Sequence, residues 1–552
     1  MSHPNNFRNN LAESVFQLKY AQGSSDTWHN LAQRLVDHVC GGTDPLMSQS
    51  DRDQLVQYIY ERKIMPGGRY LYYAGRDAAF FNNCYLLKAE EDTREEWGAL
   101  AERASSCLMT GGGIGVDYSR LRASGAALKR TGGVASGPLP LMHSINEIGR
   151  SVMQGGSRRS AIYASLDASH GDAGDFLKVK NWDEYPVGDT GKTLADIKSA
   201  DFNFPCPLDH TNISLNYSDS WLESEDRHLD PIFVANVRQA MMTGEPGFSF
   251  NFGAQADETL RNACCEVTSR DDSDVCNLAS VNLAEVGDLE EMADVVTLAQ
   301  QFLLCGTLRA DLPYQKVHDV RALNRRLGLG LMGIHEWLLK RGIDYSVNPE
   351  LRSWLSVYRD ESTKAGNEMA DFVGVSRPVA HRAIAPTGSI SILAGTTSGI
   401  EPVIYSAYKR RYLTGSSTWK HQFVIDATTR HLVEEIGINP ANIETSSTLA
   451  SYPEKRIRFQ ASVQAYVDMA ISSTLNLPQW GSELNNDDRV EQFARIISEY
   501  APRLRGLTCY PDGSRGGQPI VEVPYSEALG NENVEYLEHD ICDITGGGTC
   551  AS

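Results

Sequence analysis

Apolar residues recur at helical spacing over residues 51–62, 95–109 and 139–153, and again over 292–308, 331–340, 351–372, 461–473 and 490–500. Each stretch is predicted to be a helix with one buried face. Between them, residues 160–166, Ile213-Ser214-Leu215 and Phe248-Ser249-Phe250 read as strands. Strands separated by helices predict an α/β fold with much parallel pairing. A glycine run from Gly111 to Gly115 ends the second helix ahead of a strand or loop. It does not meet the Gly-x-Gly-x-x-Gly pattern and no strand precedes it, so packing is favoured over dinucleotide binding. Residues 181–209 are polar, aromatic and proline-bearing, and a long loop is expected there. The last dozen residues lack apolar patterning and are expected to form a mobile tail.

Composition narrows the class. The chain has 552 residues, 41% of them hydrophobic and 22% charged, as in an ordinary globular protein. Its net charge of −20 argues against coating a nucleic-acid polymer, but a single nucleotide needs only local amides and a few arginines. The first residues carry no signal peptide and no apolar run would span a membrane. Eleven cysteines are too few for a disulfide scaffold of this length, so the expected compartment is the reducing cytoplasm.

In that compartment grouped thiols point to redox catalysis or metal binding. Asn262, Cys264 and Glu266 are spaced two apart, which in an extended backbone puts an amide, a thiol and a carboxylate on one face. Cys276 follows ten residues after Glu266, and Cys84 lies far upstream. One thiol beside a proton acceptor, with two more able to close a disulfide, is the equipment of a radical-initiated, thiol-driven reduction. Residues 385–391 form a Gly/Ser/Thr-rich turn, read either as a phosphate cradle or as a structural turn. Cys40, Cys107, Cys206, Cys265 and Cys305 are expected to be buried and inert. Cys542 and Cys550, on a glycine-rich tail, suit thiol exchange with an internal disulfide; a zinc clip is the rival reading, without a second ligand pair nearby. Arg158 and Arg159 are read as solvent-exposed or ion-paired.

Taken in order, these segments resemble the catalytic subunit of ribonucleotide reductase. The series runs from Asn-Asn-Cys84-Tyr-Leu through Gly-Gly-Gly-Ile-Gly-Val-Asp-Tyr-Ser-Arg-Leu-Arg at Gly111, Ser136-Gly-Pro-Leu, Gln154-Gly-Gly-Ser-Arg-Arg and Asn212-Ile-Ser. It continues with the Asn262/Cys264/Glu266 triplet, Cys276-Asn-Leu-Ala-Ser-Val-Asn-Leu, Pro386-Thr-Gly-Ser-Ile-Ser and Ser398-Gly-Ile-Glu-Pro, and closes with the cysteine-bearing tail. The resemblance implies a ten-stranded α/β barrel of two half-barrels with a central finger loop, here over residues 81–535. A mainly helical region (1–80) would precede it and a redox-active tail (536–552) would follow.

It further implies that Cys264 carries a thiyl radical, Glu266 is the general base and Asn262 binds the substrate hydroxyls. Cys84 and Cys276 would be the reducing pair, and Cys542 and Cys550 would regenerate it and then be reduced by a thioredoxin or glutaredoxin. Pro386, Thr387, Gly388, Ser389, Ile390 and Ser391 would hold the substrate phosphates. Asp92, Thr93 and Arg122 would bind deoxynucleotide or ATP effectors. No metal ligand set is expected. The segment Gly506-Leu-Thr-Cys-Tyr510-Pro-Asp-Gly-Ser-Arg515 has one tyrosine where metal-fed relatives use a pair, and the only adjacent pair, Tyr72-Tyr73, is remote in sequence. With the short spacing from Cys264 to Cys276, this resembles the adenosylcobalamin-dependent class. The likeness is to its dimeric branch, which favours diphosphates over triphosphates and admits a homodimer. Little sequence precedes the core, so an N-terminal ATP-binding regulatory domain is expected to be absent. The rival readings are a large subunit fed by a metal-radical partner and a catalytically silent nucleotide-binding regulator.

Overall fold

The computed structural model describes residues 5–129, 132–152, 160–201, 204–414, 418–514, 520–532 and 534–537. The N-terminal region holds the helices Asn10–Lys19, Trp28–Cys40 and Gln49–Tyr60. Asn9, Thr27 and Ser48 cap them, each side chain accepting from a backbone N–H that the first turn leaves unpaired. A short strand, β1 (Ile64–Pro66), follows.

Five parallel strands then build one half-barrel: β2 (Cys84–Lys88), β3 (Gly113–Asp117), β4 (Ile162–Asp167), β5 (Thr211–Tyr217) and β6 (Gly247–Phe250). Helices between them, such as Arg94–Met109, Leu139–Ser151 and Pro231–Thr243, pack on the outside. Next comes a small antiparallel pair, β7 (Leu260–Arg261) and β8 (Thr268–Ser269). β9 (Asp274–Asn282) returns antiparallel to β2 and starts the second half, with β10 (Leu327–Met332) parallel beside it. A side sheet begins with β11 (Ala407–Thr414) and β12 (Thr418–Ile425). β13 (Thr474–Leu477) and β14 (Gly506–Pro511) are parallel to each other, and β14 runs antiparallel to β6. β15 (Ile520–Glu522) and β16 (Glu535–Leu537) complete the side sheet.

The large sheet has ten strands, open between β10 and β13. Residues 380–384 close that gap. Leu327 N donates to the Ala380 carbonyl at 3.0 Å and Leu329 N to that of His381 at 3.1 Å, while Ser472 N donates to the Ile384 carbonyl at 2.8 Å. Parallel bridges join Leu329 to Arg382 and Ile384 to Ile471. With this segment in place, and β1 lying outside on β9, the ladder runs round as the α/β barrel of two half-barrels.

β10 shows how the sequence makes a barrel wall. In Leu327-Gly-Leu-Gly-Leu-Met the leucines are buried in the outer helical core, each worth about 2 kcal/mol. The alternating glycines face inward, where a Cβ on Gly328 would lie 3.0 Å from the Cys276 sulfur and 2.3 Å from Leu278. The outer cores are large and apolar, whereas the inner cluster is small and includes Cys84, Cys276, Leu278, Ala383 and Val267.

Three sequence expectations are corrected. Residues 331–332 belong to β10, and the helix starts at Ile334, because an apolar run buried on both faces has no period to distinguish strand from helix. The helix read over 461–473 is Pro453–Gln464; residues 469–472 are non-helical and hydrogen-bonded to Glu266, Arg382 and Ile384, with Ile471 bridged to Ile384. The loop 181–209 holds a helix, Leu194–Ala200, with a Thr193/Asp196 capping box. Arg158, Arg159 and the motif starting at Gln154 lie outside the described residues, as do Cys542 and Cys550.

Candidate active site

β7 and β8 are the stem of a finger that enters the barrel. Its base is fixed by Arg261, buried and donating to the carbonyls of Phe250, Glu258, Leu260 and Arg505 and to Asn251 Oδ1. Glu258 in turn accepts from Arg505 at 3.1 Å and Arg326 at 3.4 Å. The finger crosses β3 at Gly115, where a Cβ would lie 1.6 Å from the Arg261 carbonyl oxygen. No side chain fits there, which gives the glycine run its packing role.

The tip is a turn. Cys265 N donates to the Asn262 carbonyl at 3.0 Å, and Cys265 adopts φ +70°. The extended backbone expected for residues 262–266 is therefore corrected; the turn, not strand alternation, gathers the three side chains. Val267 N donates to Asn262 Oδ1 at 3.0 Å. Asn212 Nδ2 donates to the Ala263 carbonyl at 3.2 Å and Ala470 N to that of Glu266 at 2.8 Å, so both half-barrels hold the tip.

Cys84 and Cys276 are direct partners across β2 and β9. Opposed residues on antiparallel strands have Cβ atoms about 4.5–5.5 Å apart, close enough that a small shift closes a disulfide. Both are reduced and buried. Asn262 Nδ2 donates to Cys84 Sγ at 2.8 Å. Burial pushes the Cys84 thiol well above its ordinary pKa, and the neighbouring Glu266 and Cys264 push the same way; Cys276 is raised by burial, then by Asp274 and Glu266. Glu266 is 1% exposed, and among the described residues its Oε2 has no hydrogen-bond partner. Burial raises its pKa to about 7, against the opposing pull of the Asn262 amide.

Cys84, Cys264 and Glu266 line a cavity of about 140 Å³ together with Thr387, Gly388, Ser389 and Ile390. Thr387 takes φ +52° before the helix Gly388–Ala394, and its hydroxyl accepts from Gly399 N at 3.0 Å. Ser391 and Ser398 share a hydroxyl contact at 2.8 Å. Tyr20, Asn83 and Ser280 also line this cavity; Asn83 and Ser280 belong to the motifs around Cys84 and Cys276, whereas no sequence signal marked Tyr20. On the flank, Asp92, Thr93 and Arg122 meet at a separate cavity of about 340 Å³, with Arg122 Nε donating to Asp92 Oδ2 at 2.6 Å. Cys40, Cys107, Cys206 and Cys305 are buried as expected, although Cys40 and Cys305 are hydrogen-bonded to each other. Cys265 is only half-buried, a correction to the buried thiol expected there.

The model of the ribonucleotide reductase barrel domain matches residues 82–224, 230–370 and 376–506, all but the edges of this architecture. The chain belongs to the ribonucleotide reductase family. Within it, the chain is 25% identical to a vitamin B12-dependent ribonucleoside-diphosphate reductase of Mycobacterium tuberculosis, over 89% of this chain and 76% of that one. A protein of the same name from Thermoplasma acidophilum is also 25% identical, over 86% of this chain and 67% of its own. A protein of Mycobacterium phage D29, provisionally named an adenosylcobalamin-dependent ribonucleoside-triphosphate reductase, is 23% identical over 93% of this chain and 94% of its own. Among the described residues, no helix is long and apolar enough to cross a membrane.

Proposed function

We propose that this ribonucleotide reductase family member converts ribonucleotides, diphosphates in preference to triphosphates, into 2′-deoxyribonucleotides by a thiyl-radical route dependent on adenosylcobalamin. The observation that carries the reading is the pairing of Cys84 with Cys276 beside a finger that brings Cys264 and Glu266 into one cavity. Adenosylcobalamin, when bound, would supply the homolysis that takes a hydrogen atom from the Cys264 thiol.

The thiyl sulfur then takes the hydrogen from C3′ of the ribose, and Glu266 accepts the 3′-hydroxyl proton. A base with a pKa near 7 is suited to that transfer at neutral pH. Asn262 orients the hydroxyls. Cys84 and Cys276 deliver two electrons and two protons; water leaves C2′, a disulfide closes, and Cys264 returns its hydrogen to C3′. The account balances as ribonucleotide plus dithiol giving deoxyribonucleotide, disulfide and water. Cys542 and Cys550 would then exchange with that disulfide and be reduced by a thioredoxin or glutaredoxin. Residues 386–391 hold the phosphates, and the Asp92/Arg122 cavity takes a deoxynucleotide or ATP effector.

The residues that would hold the cofactor line a groove of about 560 Å³ at the ends of β13 and β14, including Tyr405, Ser446, Asn476, Ser482 and Tyr510. Its aromatic rings, hydroxyls and amide suit a flat macrocycle fringed with amides, the carboxylates of Glu483, Asp512 and Glu522 add acceptors for the amide N–H groups of that fringe, and Tyr510 belongs to the segment that resembles the cobalamin class. The unpartnered carboxylate oxygen of Glu266 weighs against a silent binding module, since burying such a group without a use for it only costs stability.

The test is turnover with adenosylcobalamin and a dithiol, without any added metal subunit. Deoxynucleotide is expected. Product seen only after adding a di-iron or dimanganese partner would overturn the cofactor assignment. Cys264→Ser is expected to abolish turnover while leaving nucleotide affinity nearly unchanged; activity in that variant would remove Cys264 from its role.

A further inference from the structure

The helix Asn10–Lys19 ends at the mouth of the Cys264 cavity. Its last residue, Lys19, is exposed, and its ammonium donates to the Ser389 hydroxyl at 3.5 Å. The next residue, Tyr20, is buried and lines the cavity itself. At the far end of the short helix Gly388–Ala394, Arg8 donates to the Gly395 carbonyl at 2.8 Å. Arg8 is itself fixed by Glu336 at 2.8 Å and Glu285 at 2.6 Å. One N-terminal segment therefore contacts the helix Gly388–Ala394 at both ends, at Ser389 and at Gly395.

Charge gives this arrangement a purpose. Among the described residues lining the cavity there is no lysine or arginine, and the chain carries a net charge of −20. Backbone N–H groups and hydroxyls can orient a phosphate but bring no net positive charge to it. Among the described residues, the cation hydrogen-bonded to that turn is Lys19, which comes from outside the barrel. We propose that Lys19 contacts the substrate phosphates and sets the preference for phosphorylated nucleosides, with Arg8 a positioning residue for the same turn. The proposal rests on reading residues 386–391 as the phosphate site.

The test is calorimetric binding of cytidine and cytidine diphosphate to the full chain and to Lys19→Met and Lys19→Arg, at low and physiological salt. The wild type is expected to bind the diphosphate far more tightly than the nucleoside. Lys19→Met should lose about ten- to a hundredfold in diphosphate affinity, the range of a hydrogen bond to a charged group, with cytidine affinity unmoved. Lys19→Arg should keep most of it, and the loss should shrink as salt rises, since the ammonium is exposed. Arg8→Lys should retain more of the phosphate preference than Arg8→Met, in samples with matched melting curves. A Lys19→Met variant with the full phosphate preference would overturn the role of Lys19 alone. A wild type that binds cytidine and its diphosphate equally would overturn the phosphate reading of the turn, and Lys19 with it.

Discussion

Inside the barrel, Glu266 sits 1% exposed with one carboxylate oxygen unpartnered and a pKa raised to about 7. On the flank, Arg122 and Asp92 meet at 2.6 Å with 40% and 34% of their side chains in water. The interior keeps an ionisable group without a counter-charge, which is expensive to hold in its charged form. The flank pairs its charges in solvent, where they cost little and contribute little until a ligand displaces water from them. On the proposed reading, chemistry is placed where the medium is dry and effector recognition where it is wet.

The largest change that would break this contrast is Glu266→Gln. Turnover should fall by about 10² to 10⁴, the range for removal of a general base. Stability should respond in a pH-dependent way. A carboxyl whose folded pKa is raised favours the folded state at low pH, and that contribution is lost as pH rises through 7. The wild type therefore gives up on the order of 3 kcal/mol between its ordinary titration range and pH 8. The glutamine variant should match the wild type near pH 5 in denaturant titrations and exceed it at pH 8; parallel curves would show that Glu266 is not the buried acid described.

Next in size is Gly115→Ala. The new methyl collides with the backbone of Arg261 rather than with a flexible side chain, so the finger must move. A shift of that order should cost about a hundredfold in turnover, and overpacking about 1–3 kcal/mol in stability. Unchanged turnover and an unchanged denaturation midpoint would mean that the crossing tolerates a side chain. The smallest effect is expected for Arg122→Ala, which should alter the denaturation midpoint by less than about 1 kcal/mol. It should nonetheless abolish any influence of added deoxynucleotides on which ribonucleotide is reduced; substrate-competition assays with and without deoxynucleotide would read this directly.

Much of the outer layer was legible in the sequence. The helix read over 490–500 coincides with Val490–Tyr500, and that over 351–372 falls within Pro349–Val373, because one-sided burial imposes a helical period. The inner wall was harder. β10 is buried on both faces, and residues 469–472 leave the helical pattern to hydrogen-bond with segments distant in sequence. The helix Leu194–Ala200 was missed although Thr193-Leu-Ala-Asp196 carries the capping pattern. At the site, cysteines and carboxylates stood out by type and spacing. Lys19 and Tyr20 did not, since a lysine followed by a tyrosine at a helix end has no distinguishing local pattern.

The order of the strands along the chain carries a consequence for synthesis. The finger bearing Cys264 is made halfway through, but the wall that shuts it away is finished only when β14 pairs with β6, joining Gly506 to Ser249. Pairings so distant in sequence form late. A nascent chain thus passes through a stage in which Cys264 is open to solvent, and the arrival of the last barrel strand reduces that exposure to the half-buried state of the finished fold.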